Sequence, residues 1–183
     1  MARVEGKVAL ITGAARGQGR SHAIKLAKEG ADIIAVDICA DITTVPYSLA
    51  TEDDLAQTAK LVEELDRRIL ARTVDVRNLA ALEKVAGEGL EKFGHIDILV
   101  ANAGISSFGQ LLQLDEAAWQ DVIDINLTGA WKAVKAVAPG MVPRSGRVLD
   151  PGQFDRGADR FSEPRPLHRG KTWLDRAYAC AGS

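Results

Sequence analysis

Thr12-Gly13-Ala14-Ala15-Arg16-Gly17-Gln18-Gly19 sets three glycines where a backbone can come close to an anion. Glycine adopts the positive φ of a tight turn and carries no Cβ to hold a pyrophosphate away from the chain. If a helix starts within this loop, its first N–H groups are unpaired and its dipole adds partial positive charge at the same point. Asp37 follows Gly19 by 18 residues. At the end of the next strand such a carboxylate accepts both hydroxyls of an adenosine ribose, whereas a 2′-phosphate would meet like charge. Loop and acid together predict a site for NAD in preference to NADP. Arg16 acts in the opposite sense, because a guanidinium in the loop can pair with a 2′-phosphate. NADP would still require Asp37 to be neutralised, so NAD stays the expected cofactor.

These residues need a scaffold that brings strand ends together. Val8-Ala-Leu-Ile11 is a short apolar run closed by Thr12-Gly13, the pattern of a strand buried on both faces. Ala23, Ile24, Leu26 and Ala27 have helical spacing, and Gly30 stands at the C′ position. Ile33-Ile-Ala-Val36 is a second strand ending at Asp37, and residues 52 to 68 carry Leu55, Ala59, Val62 and Leu65 on one helical stripe. Leu70 to Val74 is a third strand, Leu79 to Phe93 a helix closed by Gly94, and Ile96 to Val100 a fourth strand. A long helix runs from its N-cap Asp115 to Ala138, where Pro139-Gly140 ends it, and Arg147-Val-Leu149 opens a fifth strand. Strands alternating with long helices require crossover connections. The expected fold class is therefore α/β, a Rossmann-type doubly wound parallel sheet truncated after the fifth strand.

With 46% hydrophobic residues, the 183-residue chain suffices for one globular domain. Its formal charge of −2 lacks the basic footprint of a nucleic-acid binder. The first apolar run is too short for a signal-peptide core or a membrane span, so the expected location is cytoplasmic with no membrane partner. Cys39 and Cys180 lie far apart without a C-x-x-C pattern and read as free thiols, with no metal site expected.

The spacing T-G-x-x-x-G-x-G differs from the general dinucleotide pattern G-x-G-x-x-G and resembles that of the short-chain dehydrogenase/reductase family. Three further matches follow in order: Asp75-Val76 after the third strand, Asn102-Ala103-Gly104 after the fourth, and Asn126 in the long helix. The resemblance covers residues 4 to 149. It implies an oxidoreductase that passes hydride between NAD and a secondary alcohol or ketone. It also implies that Gly13, Arg16, Gly17, Gln18, Gly19, Asp37 and Ile38 form the cofactor site. Asp75 and Val76 would border the adenine, and Asn102, Ala103 and Gly104 would lie beside the nicotinamide half. A methyltransferase also uses a glycine loop and an acid after the second strand, but Asn102-Ala-Gly104 and Asn126 favour the dehydrogenase.

Asn126 falls on the stripe Trp119, Val122/Ile123, Asn126, Ala130, Ala133/Val134, where a buried amide without partners costs about 1–3 kcal/mol. In the family the matching Asn bends the helix and holds a water of the proton relay, a catalytic role. The long segment from Asp37 to Ala50, with its V-D-I-C, resembles the mycofactocin-associated subgroup that includes carveol-dehydrogenase-like proteins. That resemblance implies a nicotinamide that stays bound and exchanges electrons with a peptide-derived redox partner.

The resemblance also calls for a Ser, a Tyr and, four residues after the Tyr, a Lys. Tyr178 is followed at that distance by Gly182, and Tyr47 lies after the second strand, on the wrong part of the sheet. From Asp150 onward the chain has no Val or Ile but five Arg, four Asp, four Gly and three Pro. That composition predicts an irregular or disordered tail over residues 150–183, beside an NAD-binding domain over residues 1–149. Read one base out of frame, Leu167-His168 onward can encode Y-T-A-A-K, and Gln153 to Ala158 can encode S-S-I-A-G. A one-base slip near Leu149 or Asp150 is the expectation. The protein expected is a dehydrogenase by descent, inactive as written; the alternative is a non-catalytic NAD-binding or interaction protein. The family's homo-oligomers use the helix from Asp115 to Ala138 together with another not represented here, which leaves such an assembly incomplete on this chain.

Overall fold

The structure, a computed structural model, describes residues 2–141. The expected strand at Arg147 to Leu149 and the tail over 150–183 lie outside the described residues. Four strands, β1 (Val8–Thr12), β2 (Asp32–Asp37), β3 (Ile69–Thr73) and β4 (Ile98–Ala101), form a parallel sheet in the order β3-β2-β1-β4. The helices are α1 (Gly17–Lys28), α2 (Glu52–Glu63), α3 (Leu79–Phe93), α4 (Glu116–Ile123) and α5 (Ala130–Met141), the last two joined by a π-helical turn at Asp124–Gly129.

The apolar runs are strands covered on both faces, and alternate residues feed two cores. Ala9, Ile11, Ile33 and Ala35 pack with Ala23 and Ala27 of α1 and with Leu55 and Val62 of α2. Leu10, Ile34 and Val36 pack with Leu82, Val85 and Phe93 of α3 and with Ala133 and Val137 of α5. Chain order therefore reverses at β1. β1 leads into a helix on one face while its neighbour β4 leads toward helices on the other, and the diverging loops leave a crevice at the carboxyl ends of the strands.

Local chemistry sets most boundaries. Thr51 and Asp54 form a capping box that starts α2, and Asn78 caps α3, which ends on Gly94 in the left-handed conformation. Asp115 caps α4 as expected, its carboxylate accepting from the Ala117 N–H. α2 stops at Glu63 rather than continuing to residue 68, because Asp66 takes a φ of 55° and turns the chain toward β3. β4 begins at Ile98, two residues later than the apolar run.

The helix expected from Asp115 to Ala138 departs from its pattern twice. α5 passes through Pro139 and includes Gly140 and Met141. Proline removes one hydrogen bond there, but burial of Ala136 and Val137 in the core shared with α3 holds the last turn. The π-helical turn also shifts the phase of the apolar stripe. Ala118, Ile125, Ala133, Ala136 and Val137 are buried, whereas Trp119 and Val134 are 53% and 51% exposed. Asn126 consequently sits at an exposed edge and not on the buried face. Among the described residues no helix is long and apolar enough to cross a membrane.

Ile34 is fully buried, and a Cβ on Gly89 of α3 would come within 2.4 Å of its Cδ1. Ile34→Ala should lower stability by about 2–5 kcal/mol, read as a lower urea midpoint with an unchanged slope.

Candidate functional site

The crevice forms a cleft of about 310 Å³, at the lower end of the usual range for small-molecule sites. Gly13, Arg16, Gly17, Gln18, Asp37, Ile38, Asp75, Val76, Asn102, Ala103 and Gly104 all line it. Four separate segments of the chain thus meet where the sequence placed them. Gly19 does not face the cleft. It lies against the loop itself, where a Cβ would fall 1.9 Å from the Gly13 carbonyl oxygen, so its smallness lets α1 close onto the loop. Gly13 has a φ of +66°, and a Cβ there would stand 2.9 Å from Ala103 Cα.

Hydrogen bonds join the segments. The buried Thr12 hydroxyl accepts from the N–H groups of Asn102 and Ala103, both at 3.0 Å. Asn102 Nδ2 in turn donates to the carbonyls of Thr12 at 3.0 Å and Gly13 at 3.2 Å. Asp37 is buried at the end of β2; its Oδ2 accepts from Ala15 N–H at 2.9 Å and its Oδ1 from Cys39 N–H at 3.3 Å. Each oxygen keeps a further acceptor position, which suits a vicinal diol. Arg16, the N-cap of α1, supplies no side-chain acceptor, and the first turn holds no acid. The first N–H groups of α1 remain available to an anion.

The segment between β2 and α2 contributes residues that the motifs did not reveal. Arg16 Nη2 donates to the Ser48 carbonyl at 2.6 Å, so the guanidinium of the loop is tied to this segment. Tyr47, expected on the wrong part of the sheet, reaches across: its hydroxyl accepts from Ser106 N–H at 2.8 Å, beyond β4. The reason is the length of the segment, which carries the ring from the β2 side to the β4 side. Ile42 joins Val76, Ile105 and Ile125 in a small apolar cluster under the cleft. Single polar residues scattered through a long loop gave no signal of these contacts.

A polar chain supports the opposite wall. Thr44 Oγ1 donates to Asp121 Oδ2 at 2.6 Å, Asp121 Oδ1 accepts from Arg77 Nη1 at 2.7 Å, and Arg77 donates through its Nε and N–H to Asp75, both at 2.8 Å. The hydrogen bond to Asp75 raises the Arg77 pKa above its ordinary value, against the effect of burial, and Asp121 adds to the rise. Asn126 does not line the cleft. Its Oδ1 accepts from Ile105 N–H and its Nδ2 donates to the Ile105 carbonyl, both at 2.9 Å, so it pins the backbone that follows Gly104. Asn126 lies within the π-helical turn at Asp124–Gly129. The arrangement can hold an anion beside a diol and an apolar ring.

A family model described as short chain dehydrogenase matches residues 7–150. An uncharacterized NAD-dependent oxidoreductase of Mycobacterium tuberculosis is 49% identical over 140 residues, spanning 76% of this chain and 51% of that protein. A (-)-trans-carveol dehydrogenase of Rhodococcus erythropolis is 52% identical over 152 residues, spanning 81% and 55%. The crystal structure of carveol dehydrogenase from Mycobacterium avium in complex with NAD superposes with a TM-score of 0.75 at 55% identity, over 77% of this chain and 51% of that one. The chain spans about half the length of these curated relatives.

Burial, then the negative charge of Asp37, pushes the Cys39 thiol up to about 11 from an ordinary 9.0. At pH 8 its thiolate fraction, and hence its alkylation by iodoacetamide, should be about a hundredfold below that of an unperturbed thiol. Peptide mapping of the time course checks this, and the rate should rise steadily between pH 8 and pH 10.

Proposed function

Because the chain belongs to the short-chain dehydrogenase family, we propose that its cleft binds NAD. The adenosine ribose lies on Asp37, the pyrophosphate over Gly13, Arg16, Gly17 and Gln18, the adenine against Asp75, Val76 and Ile38, and the nicotinamide half beside Asn102, Ala103 and Gly104. The observation that carries this reading is Asp37: a buried carboxylate fixed by two backbone N–H groups, with acceptor positions left over, next to an uncapped helix start. The likeness to NAD-dependent relatives supports it.

Bound NAD supplies a hydride acceptor for a secondary alcohol, or in the reverse direction a donor to a ketone. Where the missing Ser, Tyr and Lys are present, Asn126 would serve the family's proton relay while holding the Ile105 backbone. Residues 1–149 make up the NAD-binding domain, and the protein works in the cytoplasm. The long segment from Asp37 to Ala50 and the likeness to carveol dehydrogenases support a retained cofactor that hands electrons to a peptide-derived redox partner. Neither tyrosine of the chain has a lysine four residues after it, so the chain as written holds NAD without turning over alcohol, in line with a one-base frame slip ahead of residues 150–183. The competing reading is a non-catalytic NAD-binding or interaction protein whose tail has acquired a use.

Calorimetry should find NAD binding by the 183-residue chain, and Asp37→Ala should weaken it about tenfold to a hundredfold while raising NADP affinity relative to NAD. An unchanged ratio would sink the assignment. The frame-restored chain should also reduce NAD with a secondary alcohol and the unrestored one should not; transcripts that keep the 150–183 frame in close relatives would remove the slip and favour the non-catalytic reading.

A further inference from the structure

Behind the glycine loop, facing away from the cleft, a second set of side chains converges on one carbonyl. The Ala15 oxygen accepts from Thr58 Oγ1 at 2.9 Å and from Arg20 Nε at 2.9 Å, with a further bond from Arg20 Nη2. Arg20 also donates from Nε to Thr58 Oγ1 at 2.9 Å, and from Nη2 to the Asp54 carbonyl at 2.8 Å and to Asp54 Oδ1 at 3.3 Å. Thr58 is fully buried. One donor would satisfy a buried carbonyl, and a carbonyl has two lone pairs; this one has three donors. Arg20 moreover stands in the first turn of α1, where a cation works against the helix dipole. Such a placement asks for a return other than satisfying a carbonyl.

The return is orientation. Across a trans peptide the C=O of one residue and the N–H of the next point in opposite directions. Fixing the Ala15 carbonyl toward α2 therefore turns the Arg16 N–H away from α2, and Arg16 is a residue that lines the cleft. Ala15 is held at its other end as well, by its N–H to Asp37 Oδ2 at 2.9 Å. We infer that Arg20 and Thr58, braced by Asp54, are positioning residues that aim the Arg16 N–H at the pyrophosphate of the bound dinucleotide without touching it. This rests on the NAD reading above and assigns it two further determinants.

ADP and adenosine separate the phosphate cradle from the ribose site. In the full chain Thr58→Val, which keeps the side chain's size and loses its hydroxyl, should weaken ADP and NAD binding about tenfold while adenosine binding changes less than twofold; Thr58→Ser should restore ADP. Arg20→Lys keeps the charge beside Asp54 but loses the fork, and should show the same selective loss, so it carries the test if Thr58→Val does not fold. Equal loss of ADP and adenosine, or no loss of ADP in either variant, overturns the inference while leaving NAD binding intact. A wild-type chain that binds neither ADP nor NAD overturns the dinucleotide reading itself.

Discussion

Neighbouring parallel strands that send their loops to opposite faces of a sheet part company at their carboxyl ends, and the backbone groups there lose the partners a ladder would give. Between β1 and β4 the Thr12 hydroxyl replaces that ladder, taking two N–H groups, while the Asn102 amide returns two hydrogen bonds to the other side. These N–H groups are part-buried, so each left unpaired would cost a share of the roughly 1–3 kcal/mol that a fully buried donor loses. Everything at the cleft depends on this junction. It brings Gly13 so close to Ala103 that a side chain at position 13 has no room, and it fixes the separation of the glycine loop from the segment after β4.

The far side of the cleft is held by contacts that are individually modest. Arg16 to Ser48, Tyr47 to Ser106 and Thr44 to Asp121 are each partly exposed and net about 0.5–1.5 kcal/mol as neutral hydrogen bonds, more where charge takes part. They act on one segment, which Ile42 also anchors in the cluster with Val76, Ile105 and Ile125. The segment between β2 and α2 thereby touches the chain after β4, α4 and the glycine loop at once. Its position is a property of the whole cleft.

The legible part of this molecule was the part in which local sequence dictates local structure. Glycine spacing after a doubly buried strand, an acid at the end of the next, and Asn-Ala-Gly after β4 each state their place through backbone requirements, and the structure gathers them. Asp115 was equally readable, since capping is a contact within one turn. The tie from Tyr47 to Ser106 and the triple bond set on Ala15 join residues far apart in the chain, and nothing in the types or spacing of Arg20, Asp54 and Thr58 announces a shared carbonyl. Asn126 was misplaced for a different reason. A helical stripe assumes a constant period, and the π-helical turn at Asp124–Gly129 breaks that period around Asn126.

The geometry of Arg16 bears on which nucleotide the cleft would prefer. A 2′-phosphate about 4 Å from the Asp37 carboxylate would be opposed by about 4 kcal/mol per unit of charge at an effective dielectric near 20. The offset from Arg16 is smaller. Its guanidinium would first have to leave the Ser48 carbonyl, and an exposed ion pair returns about 1 kcal/mol or less. Asp37 cannot swing aside at little cost, because both its oxygens hold N–H groups of the loops on either side of it. The sign of the preference is therefore set by a buried carboxylate that the backbone keeps in place, and the nearby arginine, despite its charge, serves mainly to fasten the segment between β2 and α2.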